Sequence, residues 1–146
     1  MSVLRLSRSV YDSLRAHGEK TYPQECCGVL LGRPTPGGWL ATAAVRASNI
    51  RTDSAHDRYE IAPAELVRIA CAARRQGHEI AGFYHSHPDS PAQWSPTDFA
   101  EAHWVGCSYV ITEIAHRTAA LTNAFLLTGT TEEDKHFEQQ DVQIED

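Results

Sequence analysis

Two histidines with a single residue between them, His85 and His87, stand in the run His85-Ser86-His87-Pro88, and Ser95-Pro96-Thr97-Asp98 follows shortly after. Residues two apart on an extended strand project to the same side. Both imidazoles can therefore reach one point, at the roughly 2.0–2.1 Å that separates nitrogen from zinc. Asp98, in the first turn of a helix, can swing back as a third donor. Two imidazoles and a carboxylate leave one tetrahedral position for water, the composition of a catalytic zinc site; structural sites close with four protein ligands and favour cysteine. Bound zinc lowers the pKa of its water to about 7. Plainer readings exist. A histidine pair at a strand end is commonly polar surface, and Ser95 with Asp98 three residues on is also a helix cap. Spacing alone leaves both open.

These residues need elements to hold them. Ser7 is a cap for a first helix to about Ala16, with Val10 and Leu14 on one face and Gly18 as its stop. The apolar run Cys26–Leu31 predicts a buried strand, paired through the Thr35–Gly38 turn with a second strand over Trp39–Val45. Ser48–Asp57 reads as a surface loop and Arg58–Ile61 as a short strand. Pro63 starts a helix to Gln76, with Leu66, Ile69, Ala70 and Ala73 at helical spacing. Glu79–Tyr84 is a central strand that delivers the histidines, and Pro88 ends it. A third helix covers Ser95 to about Trp104, and strands follow over Tyr109–Thr112 and Ala119–Leu127. Residues 129–146 are acidic and read equally as a loose tail or an edge strand. The alternation, broken by one hairpin, predicts an α/β domain with a mixed twisted sheet flanked by helices.

With 146 residues and 42% hydrophobic content the chain fits one domain that needs no disulfide or metal to fold. The net charge of −6 and the lack of a basic stripe argue against nucleic acid, Arg74-Arg75 being a short helix-face pair. No apolar run is long enough for a signal peptide or a membrane span, which points to the cytoplasm. Cys26, Cys27, Cys71 and Cys107 lack CxxC spacing and read as free, mostly buried thiols.

The run Glu79-Ile80-Ala81-Gly82-Phe83-Tyr84-His85-Ser86-His87-Pro88, with Ser95 and Asp98, resembles the signature of the JAMM (MPN-plus, JAB) metallopeptidases. Pro23-Gln24-Glu25-Cys26-Cys27-Gly28-Val29-Leu30-Leu31-Gly32 is similar to the family's N-terminal strand, and Arg58-Tyr59-Glu60-Ile61 to its bacterial branch. The likeness spans about Val3 to Leu127, so residues 1–128 form the implied domain and 129–146 the unmatched tail. It implies one zinc ion held by His85, His87 and Asp98. It further implies Glu25 as general base and acid, and Ser95 as a donor to the oxyanion, worth roughly 3 kcal/mol. The implied fold is like that of cytidine deaminases, although a deaminase is excluded because no HxE paired with PCxxC is present. One departure concerns the loop: the family often has proline before the serine, whereas here Trp94 precedes Ser95 and Pro96 follows it.

Members of the family cleave amide or isopeptide bonds, typically beside the Gly-Gly tail of ubiquitin-like proteins. Such a tail can add as a strand along the cleft. The compact chain is similar to bacterial members acting on ubiquitin-like sulfur-carrier proteins, which release an amino acid such as cysteine. An isopeptidase or processing protease for a bacterial ubiquitin-like modifier is the alternative, and a non-catalytic binding module the rival from another class. The oligomeric state, a homodimer included, is not legible in the sequence.

Overall fold

The computed structural model describes residues 2–146. Among these, the elements run β1 (Val3–Ser7), α1 (Arg8–Thr21), β2 (Cys27–Thr35), β3 (Gly38–Ala47), α2 (Pro63–Arg75), β4 (Glu79–Pro88), α3 (Pro96–Glu101), β5 (Ser108–Ala115), β6 (Thr118–Thr128) and β7 (His136–Glu145). The strands form one mixed sheet in the order β1-β3-β2-β4-β5-β6-β7. β4 is antiparallel to β2 and parallel to β5.

Two apolar clusters fix the helices on opposite faces. Leu30 of β2, Tyr84 of β4 and Val110 of β5 pack with Val10 and Leu14 of α1, while Val29, Leu31, Phe83 and Tyr109 pack with Ile69 and Ala73 of α2. The strands therefore alternate between two buried faces, and their sequence reads as continuous apolar runs. The mixed sheet with flanking helices is the expected architecture. Its ends also meet: β7 lies parallel to β1 and antiparallel to β6, which closes the sheet into a barrel. Residues 136–145 are thus neither a loose tail nor an edge strand. α1 packs against β1, β3, β4, β5, β6 and β7, filling the ring.

Other differences from expectation have local causes. β1 is not among the expected strands: five residues are too few for a clear alternation, although Leu4 and Leu6 are buried and Arg5 between them is exposed. Ser7 does cap α1, its Oγ accepting from the Val10 amide at 3.2 Å. α1 continues through Gly18 to Thr21 instead of stopping there. At Gly18 the helix touches the sheet: a Cβ would stand 2.7 Å from Ile114 Cδ1 and 3.2 Å from Ser86 Cβ. Residues 58–61 form no strand. The Glu60 amide donates to Asn49 Oδ1 and its carbonyl accepts from the Ile50 amide, so local contacts take the groups a ladder would use. β4 runs on to Pro88, because the parallel ladder with β5 continues to Pro88↔Ile114.

Candidate metal centre

β4 carries its side chains alternately. Tyr84 and Ser86 face α1: the Tyr84 hydroxyl lies 2.7 Å from His17 Nδ1, and Ser86 meets Gly18. Phe83, His85 and His87 face the other way. β2 begins where β4 reaches its histidines, with Cys27 opposite His85, and the Cys26 amide donates to Ser86 Oγ at 2.8 Å. That bond ties the segment carrying Glu25 to the strand carrying both imidazoles. Past the crossover, α3 opens with a capping box: the Asp98 amide donates to Ser95 Oγ at 3.0 Å and the Ser95 amide to Asp98 Oδ2 at 2.9 Å. Pro96 is its first residue, where a missing N–H is harmless.

His85, His87 and Asp98 come together. Their Nε2 atoms are 3.2 Å apart; Asp98 Oδ1 lies 3.3 Å from His85 Nε2, and Oδ2 lies 3.0 Å from His87 Nε2. Donors about 2.0–2.1 Å from a tetrahedral zinc are separated by roughly 3.3 Å, so the spacing matches the edges of that coordination shell. His87 Nδ1 donates to the Pro91 carbonyl at 2.8 Å, an oxygen that can only accept. In the neutral imidazole this leaves the Nε2 lone pair aimed at the other two donors, an arrangement that a cation relieves. His85 is 2% exposed and stacks on Tyr59, with centroids 4.5 Å apart. The residues fit a divalent ion.

Glu25, His87 and Ser95 line one cleft of about 250 Å3, with His56, Asp57, Pro88 and Ser90. Glu25 is 3% exposed, and its Oε1 is buried without a hydrogen-bond partner. Burial first, then the charges of Asp98, Asp57 and Glu101, push its carboxyl up to about 9. A dication on the neighbouring donors opposes that shift. Ser95 Oγ accepts in the cap, and its own hydroxyl hydrogen is left free to turn toward the cleft.

A family described as prokaryotic homologues of the JAB domain (Prok-JAB) matches residues 7–126. The chain belongs to the Prok-JAB family. A desampylase from Haloferax volcanii is 37% identical over 114 residues, covering 75% of this chain and 80% of that protein. A probable TtuB-protein conjugate cleaving protease from Thermus thermophilus is 31% identical over 102 residues, 70% of this chain and 65% of that one. The solution structure of a Salinibacter ruber protein is similar at TM-score 0.72 and 34% identity, covering 97% of this chain and 92% of that chain. A Desulfitobacterium hafniense solution structure reaches TM-score 0.82 at 22% identity, with the same coverage, and shares the fold.

Sequence reasoning passed over several residues that build this Prok-JAB site. Ser86, between the two histidines, accepts from the Cys26 amide and so ties down the Glu25 segment. Asn49 donates to the Glu25 carbonyl at 3.3 Å and to that of Arg58 at 3.0 Å, pinning the loop whose His56 and Asp57 border the cleft. Tyr59 backs His85. An isolated asparagine in a polar loop carries no periodic signal, whereas Ser86 and Tyr59 stand within the Glu79–Pro88 and Arg58–Ile61 likenesses. The departure at Trp94 also gains a partner: its ring lies 5.5 Å from those of Phe99 and Phe137. Cys26, Cys27 and Cys107 are buried free thiols, and Cys71 is exposed. Among the described residues no helix is long and apolar enough to cross a membrane.

Proposed function

We propose that this chain is a zinc-dependent hydrolase that cleaves the amide bond following the C-terminal Gly-Gly of a small ubiquitin-like protein. The convergence of His85 Nε2, His87 Nε2 and the Asp98 carboxylate beside the unpartnered Glu25 carboxyl carries this reading. His85, His87 and Asp98 would hold one zinc ion, which when bound supplies Lewis-acid polarisation of the scissile carbonyl and of water. Glu25 accepts a proton at its carboxylate during attack and returns it to the departing amine nitrogen. Its raised proton affinity suits the second half of that task. Ser95 Oγ donates to the developing oxyanion. Asn49, donating to the Glu25 carbonyl, and Ser86, accepting from the next amide at Cys26, keep Glu25 at the cleft.

One relative is named a desampylase and the other a probable TtuB-protein conjugate cleaving protease; cleavage of a protein conjugate favours an isopeptide bond to a lysine amine as the target. A carrier ending in Gly-Gly-cysteine, hydrolysed to free cysteine, is the second reading, raised by the likeness to compact bacterial members. The zinc-loaded chain is offered the two substrates side by side and the products are weighed by mass spectrometry. Release of a carrier ending in Gly-Gly, stopped by a chelator and restored by zinc, is expected from the lysine conjugate. Faster release of cysteine from the adduct would reverse the preference. Full zinc loading with neither bond cut would make the chain a binding module.

A further inference from the structure

α3 carries Asp98 and Ser95, yet all six of its residues are at least partly exposed. A helix of that length has no stability of its own, so contacts outside it must keep Asp98 within reach of the imidazoles. The capping box holds its N-terminus. The C-terminus is held from the far end of the chain. The Lys135 side chain, 4% exposed, runs beneath the last turn of α3. Its Nζ donates to the carbonyls of Ala102 at 2.8 Å and Phe99 at 3.0 Å, with that of Ala100 at 3.5 Å. A helix end leaves its last carbonyls short of partners; the Phe99 carbonyl also accepts from the Ala102 amide at 3.3 Å, and Lys135 takes its second lone pair.

The other contacts of Lys135 complete the anchor. Glu132 Oε2 lies 2.9 Å from Nζ, and Glu132 Oε1 is 2.8 Å from His103 Nδ1, on the segment just after α3. The ammonium also lies 4.9 Å from the centre of the Phe99 ring. Two residues on, Phe137 of β7 meets Phe99 and Trp94, which flank Asp98 and Ser95 in sequence, with centroids 5.6 and 5.5 Å away. β7 is itself held by β6 along residues 136–140, which include Phe137, and by β1 along residues 141–145. Burying an ammonium is costly unless its protons are matched, and here carbonyls of α3 and the turn after it do most of the matching. A methionine of similar volume fills the same space and offers no donor.

We propose that Lys135 is a positioning residue for the metal centre: by gripping the C-terminal carbonyls of α3 it sets the place of Asp98 relative to His85 and His87. The inference rests on reading those three side chains as zinc donors. Lys135 touches none of them and acts only through the helix.

The test uses the full chain as wild type, Lys135→Met and Lys135→Gln, stripped of metal and titrated with cobalt(II). Lys135→Met is expected to weaken cobalt binding by about tenfold or more, in the range of other outer-shell changes, and to alter the visible absorption of the bound ion. Lys135→Gln, which keeps an amide donor, recovers part of that affinity. Hydrogen exchange of the metal-free Lys135→Met protein quickens over residues 95–102 and stays unchanged in β4, which a general loss of stability would not produce. Equal affinity and superimposable cobalt spectra for wild type and Lys135→Met overturn this inference and leave the zinc reading standing. A wild type that binds no cobalt removes the zinc reading and this inference together. If Lys135→Met does not fold, Lys135→Gln decides alone: a shifted spectrum supports the inference and an unchanged one overturns it.

Discussion

β4 presents His85 and His87 from a strand paired to β5 up to its final residue, with both side chains buried. α3 presents Ser95 and Asp98 from six residues held by a capping box, a lysine and an aromatic cluster. One half of the candidate site is set by backbone hydrogen bonds of the sheet, the other by side chains that converge from later parts of the chain. The strand half is consequently rigid and local in sequence. The helix half is adjustable and depends on residues far from it.

That contrast can be broken from either side. The largest effect is expected from His87→Ala, which leaves two protein donors on zinc. Affinity should fall by more than the roughly 100-fold upper range of outer-shell changes, while circular dichroism of the metal-free protein stays unchanged because the β4 ladder needs no imidazole. Retained zinc at that variant would mean the strand half is not a ligand pair. Glu25→Gln follows: zinc content is kept and turnover drops by about 10²–10⁴-fold, the usual worth of a positioned proton carrier. Unchanged turnover would remove Glu25 from the chemistry.

Ser95→Ala probes the helix half. Turnover should fall by roughly 100-fold through the lost oxyanion donor. Zinc binding should weaken several-fold as well, since losing an N-cap costs about 1 kcal/mol. A fall in turnover with zinc affinity untouched would show that α3 needs no cap to place Asp98.

The smallest effect is thermal. Glu25 holds its proton more tightly folded, at about 9, than at its ordinary 4.5. The folded state therefore binds more protons between those values, and metal-free stability falls as pH rises across that window. Glu25→Gln removes the penalty. Metal-free wild type and variant should melt together near the acid end, and the variant should melt higher at the alkaline end, by about 4 °C or more. A gap that does not change with pH would contradict the burial of that carboxyl.

The same contrast explains what could be read in advance. His85 and His87 sit two apart on a strand whose apolar run is visible, and Asp98 lies in the first turn of the next helix, so spacing and family likeness single out three side chains that the fold brings together. Glu25 stood out only through the likeness, because a lone carboxylate before an apolar run has no pattern of its own. Lys135 was invisible. Its partners are backbone carbonyls more than thirty residues earlier, and backbone carbonyls leave no trace in side-chain identity. For the same reason residues 129–146 read equally as a loose tail or an edge strand: Gln140 is buried while Glu138, Gln139 and Asp141 beside it are exposed, and the ladder bonds of residues 136–145 to β6 and β1 depend on closure of the sheet.

Diffraction from crystals grown with zinc, collected at the zinc absorption edge, bears most directly on the central claim. One anomalous peak per chain is predicted, within about 2.0–2.2 Å of His85 Nε2, His87 Nε2 and an Asp98 oxygen, with Glu25 across the cleft. A peak elsewhere, or none with the three side chains still in place, would contradict it.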